Sequence, residues 1–78
     1  MKAEDEEALF RRLARYKPGT VFPYTIVEEL KLVPKAARAT LEKWYRKGWF
    51  ESGVSIETGW LTKAGRAEAE RRGYEVHK

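Results

Sequence analysis

The stretch PKAARATLEKWYRKG, residues 34–48, decides how the rest of the chain is read. At about 100° per residue, Ala37, Leu41, Trp44 and Gly48 fall on one stripe, the apolar face of an amphipathic helix. Lys35, Arg38, Ala39, Glu42 and Arg46 stand opposite, with Lys43 at the edge of that face. Between residues 31 and 50, six basic side chains (Lys31, Lys35, Arg38, Lys43, Arg46, Lys47) face a single acidic one, Glu42, a local charge of +5. The whole chain carries +4, so the remainder is slightly acidic and the positive charge is concentrated here. One face of this helix suits a core and the other suits water or an anion. The helix by itself does not separate those two.

Beyond Gly48 the hydrophobic period changes. Residues 49–52 and 56–61 contain aromatic and β-branched side chains, and Gly53 and Gly59 punctuate them, so the pattern predicts a two-stranded hairpin turning at Gly53, Val54 and Ser55. Thr62 suits the N-cap of a last helix over residues 63–72. Ala64 and Ala67 are expected on its inner face, with Leu61 before it, while Gly65 near its start suits close packing and Gly73 just past its end suits a C-terminal cap. Residues 74–78 read as a tail. Trp44, Trp49 and Trp60 each lie beside an inward position and are assigned to the core.

Toward the N-terminus, Leu9, Phe10, Leu13 and Tyr16 recur at helical spacing and predict a helix over residues 4–17. Glu4, Asp5, Glu6 and Glu7 crowd its first turn and Arg11, Arg12, Arg15 and Lys17 follow, the order that the helix dipole favours. Pro18 and Gly19 stop it. Residues 20–24 read as an extended connector. Thr25 and Glu28 then fit a capping box, which starts a short helix running to about Lys31 with Ile26, Val27 and Leu30 inward. Leu32 and Val33 make a tight turn, and Pro34 suits the first position of the next helix, where its missing N–H has no partner to lose. Two short helices on so brief a turn form a helix-turn-helix.

Composition narrows the function classes. Seventy-eight residues make one domain, 1–78, whose folding buries only about 60% of its unfolded surface, so the three Trp, four Tyr and three Phe carry much of the core. There is no cysteine and one histidine, His77, so no metal site, catalytic triad or thiol chemistry is expected. No phosphate-cradling glycine loop occurs, and the carboxylates have no evident convergent partner, so neither an enzyme nor a cofactor is expected. No apolar run approaches the roughly 18 residues of a membrane span, and the acidic start MKAEDEEALF lacks the basic character of a signal peptide. The expectation is a small basic cytoplasmic protein without a membrane partner.

Three stretches carry a resemblance. VEELKL (residues 27–32) looks like the second helix and turn of a winged helix-turn-helix domain. LEKWYRKGWF (residues 41–50) resembles that family's L-x-x-L-x-x-x-G-hydrophobic passage from recognition helix into wing, with Trp44 replacing the second Leu. WLTKAGR (residues 60–66) is similar to the LT-x-x-G-R strand end of MarR-like and PadR-like transcriptional regulators. The order helix, helix, helix, hairpin, helix is also the family's.

The resemblance implies an α+β, mostly α fold and a nucleoid-associated regulator that reads double-stranded DNA with residues 34–47. Carried across, Lys35, Ala36, Arg38 and Ala39 would face base edges, while Lys43, Arg46 and the amides near Tyr24 and Thr25 would sit on phosphates. The small Ala side chains also suit helix propensity alone, and the lysines solubility alone. Two features point elsewhere. Residues 51–59 hold Glu51 and Glu57 and no basic residue, where such wings usually carry one at the tip. Long flanking dimerisation helices are also missing, so a monomer or weak homodimer is expected. The alternative is a winged-helix protein-interaction module, its acidic wing docking on a larger nucleic-acid machine.

Overall fold

A computed structural model describes residues 1–20, 22–53 and 58–77. It is α+β and mostly helical, as expected: α1 (Ala3–Ala14), α2 (Pro23–Glu29), α3 (Pro34–Arg46), β1 (Phe50–Ser52), β2 (Gly59–Leu61) and α4 (Lys63–Arg71). β1 and β2 pair antiparallel, Phe50 opposite Leu61, Glu51 opposite Trp60 and Ser52 opposite Gly59. This layout is compatible with a winged helix. The hairpin turn at Val54 and Ser55, the start of the second strand at Ile56, and Glu57 lie outside the described residues.

The core forms where α1, α3 and the hairpin meet. Leu9, Phe10, Leu13 and Ala14 of α1 are fully buried beside Ala37, Leu41 and Trp44 of α3, as expected, whereas Gly48, expected on the same stripe, lies past the end of α3 and is exposed. Phe10 takes Trp44 edge-on at 4.9 Å between ring centres and Trp49 at 5.7 Å. Trp44 is buried, but Trp49 and Trp60 are only half-buried against the core, a correction to their assignment. Trp49 meets Phe10, and the Lys47 ammonium lies 4.7 Å from its ring centre. Trp60 sits between inward-facing Gly59 and Leu61, so strand alternation turns it to the other face of the hairpin.

Three helices close with the same device. After α2, α3 and α4 a residue in the left-handed region (Lys31 at φ 56°, Gly48 at φ 80°, Gly73 at φ 83°) reverses the chain. In each, the following N–H reaches back to the final turn: Leu32 to Val27, Trp49 to Trp44, and Tyr74 to Ala69. These are Schellman closures, which normally employ glycine. Lys31 adopts the conformation without that freedom, in the turn between α2 and α3.

Several boundaries differ from expectation. α1 ends at Ala14 rather than Lys17, because Arg15 and Tyr16 donate to carbonyls only three residues back and tighten the final turn. The Ala14 carbonyl then accepts the His77 N–H, and Tyr74 and Val76 pack on the core, so residues 74–77 are a docked strap rather than a loose tail. α2 begins at Pro23 rather than Thr25, with Phe22 as N-cap and no side-chain cap bond. Pro23 is buried and its fixed φ suits a first helical position, so the connector is shorter and the Thr25–Glu28 capping box does not form. In α4 the buried residues are Gly65 and Ala69, whereas Ala64 and Ala67 are exposed.

The reason for that last shift is a backbone contact. Thr62 caps α4 as expected, its hydroxyl oxygen accepting from the Gly65 N–H at 3.0 Å and its hydroxyl donating to the Gly48 carbonyl. Its N–H donates to the Trp49 carbonyl at 2.9 Å, and Gly65 lies directly on that peptide. The T-x-x-G spacing therefore staples α4 to the corner where α3 turns into β1.

Candidate nucleic-acid interface

The outer face of α3 is presented as the helical spacing predicts. Lys35, Arg38, Ala39 and Arg46 are exposed, and Ala36 is half-buried. Arg38 and Glu42 approach to 3.4 Å with side chains 61% and 57% exposed. An exposed i,i+4 pair of this kind is worth only about 0.3–0.5 kcal/mol, so Arg38 remains available to a stronger anion. Among the described residues neither Lys35 nor Arg46 has an ion-pair partner.

Three other cations among the described residues hold helices together. Arg12 of α1 pairs with Glu29 of α2 at 2.7 Å and also donates to the Tyr16 hydroxyl. The hydrogen bonds it donates to the Tyr16 hydroxyl and then to the Glu29 carboxylate raise its pKa above the ordinary guanidinium value. Arg72 pairs with Glu7 of α1 at 2.9 Å and Glu68 of α4 at 2.7 Å, and its guanidinium lies 4.8 Å from the Phe10 ring centre. Glu68 also receives Arg71. Hydrogen bonds from Arg71 and then Arg72 hold its carboxyl down to about 2.

Lys43 belongs to this second group. Its ammonium pairs with Glu6 of α1 and is half-buried, so it faces the scaffold rather than the outer side of α3. The two α2 positions separate as well. The Thr25 amide donates to the Phe22 carbonyl at 3.0 Å, and its side chain lines a shallow hollow with Tyr16 and Glu29, away from α3. Tyr24 instead joins the α3 face. The structure thus gathers Lys35, Arg38, Ala39, Arg46 and Tyr24 and sets Lys43 and Thr25 apart.

One residue on this face escaped the sequence reading. Tyr45 is 60% exposed and, with Tyr24, Arg38 and Glu42, borders a cleft of about 190 Å³ floored by Pro23, Leu41 and Phe50. The signal was present: Arg38, Leu41, Glu42 and Tyr45 are spaced i, i+3, i+4, i+7, a stripe adjoining the core stripe, and an aromatic there has no buried partner to explain it. The described residues of the hairpin carry no basic side chain, and Glu51 on β1 is exposed. Among the described residues no helix is long and apolar enough to cross a membrane.

Comparison with protein-family models, curated proteins and solved structures finds no match to this chain.

Proposed function

We propose that the chain is a winged helix-turn-helix domain that binds double-stranded DNA through the outer face of α3, and that it serves as a small transcriptional regulator. The observation that carries this reading is the division among the cations. Arg12, Lys43 and Arg72 are neutralised between helices, whereas Lys35 and Arg46 stand without ion-pair partners among the described residues and Arg38 holds only a weak surface pair. Charge left uncompensated on one helix face suits a polyanion, and duplex phosphate is the anion whose groove accepts a helix. Lys35, Ala36, Arg38 and Ala39 occupy the first half of α3, the part that reaches base edges in helix-turn-helix docking. Arg46, at the far end, would position on phosphate.

Exposed Glu51 and the lack of basic side chains in the described hairpin favour a second reading, a protein-interaction module that uses the hairpin. Fluorescence anisotropy with a random-sequence duplex over a series of salt concentrations distinguishes the two. Nonspecific affinity in the micromolar range should fall with salt, with a slope near −0.9 per phosphate contacted. Reversing Lys35 and Arg38 to Glu should abolish binding with tryptophan emission unchanged, and Lys43→Gln should leave the salt slope intact. Salt-independent binding, or full binding by the double reversal, would overturn the reading and promote the protein partner.

A further inference from the structure

We propose that the cleft between Tyr24 and Tyr45 takes one unpaired nucleobase, so that the domain holds single-stranded or locally opened DNA more tightly than intact duplex. The inference rests on the nucleic-acid reading above and concerns a cleft at the edge of the same α3 face. Intact duplex offers a protein phosphates and base edges, which are polar apart from the thymine methyl, and keeps the base faces stacked. This cleft offers the reverse: a floor of buried Pro23, Leu41 and Phe50 and two tyrosine rings beside it. An aromatic-walled apolar concavity is matched by the π-face of a base, and that face is free only when the base has left its stack.

Size and charge select the occupant. About 190 Å³ is below the 300–1,000 Å³ typical of pockets for drug-sized ligands, and suits a single planar ring system. The segment that supplies most of the lining carries the local +5 charge, with Arg38 on the rim and Lys35 and Arg46 on the same helix. A base arrives attached to phosphates, so the apolar floor and the basic surround are satisfied by one ligand. Glu42 on the rim can accept a hydrogen bond from an exocyclic amine. Tyr45 is the residue to test, because its exposure makes its removal harmless to the core.

The experiment uses the full chain, a fluorescently labelled single strand, the duplex of the same sequence, and a second single strand bearing 2-aminopurine at its centre. The wild type should bind the single strand more tightly than the duplex and quench 2-aminopurine by stacking. Tyr45→Ala should weaken single-strand binding by about 5- to 150-fold, the range for loss of one aromatic–base stack, and abolish the quench, lowering single-strand affinity far more than duplex affinity. Tyr45→Phe should keep both. If Tyr45→Ala leaves single-strand binding and quenching intact, or weakens duplex and single strand equally, the cleft is not a base site although the duplex reading stands. A Tyr45-dependent protein partner without any Tyr45 effect on DNA would overturn it in the same way. If neither form of DNA binds at low salt, the functional reading fails and takes this inference with it.

Discussion

Gly65→Ala should destabilise the protein, although helix propensity alone predicts the opposite. In an exposed helix interior the change would gain up to about 1 kcal/mol. Here the added Cβ would fall onto the Trp49 carbonyl oxygen, 2.9 Å from its carbon and 3.1 Å from the Trp49 Cα. All three are backbone atoms of the α3–β1 corner, so no side chain can rotate away. Relief requires α4 to lift, which lengthens the Thr62 N–H bond to Trp49 and the Thr62 hydroxyl bond to Gly48. Overpacking costs about 1–3 kcal/mol and each hydrogen bond contributes about 1 kcal/mol. Set against the propensity gain, the net loss is about 2–4 kcal/mol, a large share of the marginal stability of so small a domain. Urea denaturation followed by tryptophan fluorescence measures it. Ala67→Gly, at an exposed position of the same helix, is the control and should cost only about 1 kcal/mol. If Gly65→Ala proves neutral or stabilising, α4 is not seated on the Trp49 peptide and the staple described here is wrong.

Lys31→Gly should act in the opposite direction, raising stability by about 1 kcal/mol, because a β-carbon is disfavoured at the left-handed Schellman position that Lys31 occupies; an unchanged denaturation midpoint would refute that strain. Glu68 supplies a pH dependence whose sign is fixed by its lowered pKa. The native carboxyl, held down to about 2 from an ordinary 4.5, binds fewer protons than the unfolded one between those values, so its contribution is full above about pH 4.5 and is lost as pH falls through about 2. The denaturation midpoint of Glu68→Gln should therefore vary less than the wild type's across that window, and parallel profiles would refute the assignment.

The parts legible from sequence were those governed by neighbours on one element. The Ala37, Leu41 and Trp44 stripe needed only helical periodicity, and it is buried as expected. Thr62 as N-cap of α4 needed only a hydroxyl ahead of a helical run, and its bond to Gly65 forms. Errors arose where two local signals competed or where a partner lay far away. Pro23 and Thr25 are both acceptable helix starts, and tertiary burial of Pro23 decided between them. Glycine carries no hydrophobic signal, so the inner face of α4 was assigned to Ala64 and Ala67. Its actual placement depends on the Trp49 backbone, sixteen positions earlier, which no periodicity reveals.

The candidate site was hardest to read for a related reason. Sequence counts charges, but a binding face is what remains after the fold has neutralised some of them. Lys43 and Arg46 lie three residues apart on one helix and look equivalent in composition. Glu6, thirty-seven positions before Lys43, takes one into the scaffold and leaves the other exposed. That pairing depends on α1 crossing α3 through Phe10 and Trp44, so the core contact and the surface charge pattern share one cause. Glu6, which lies on α1 and not on that face, therefore shapes its charge by drawing Lys43 away from it. Neutralising Glu6 would release Lys43 and add charge to the flank of α3 without altering a single residue on its outer face.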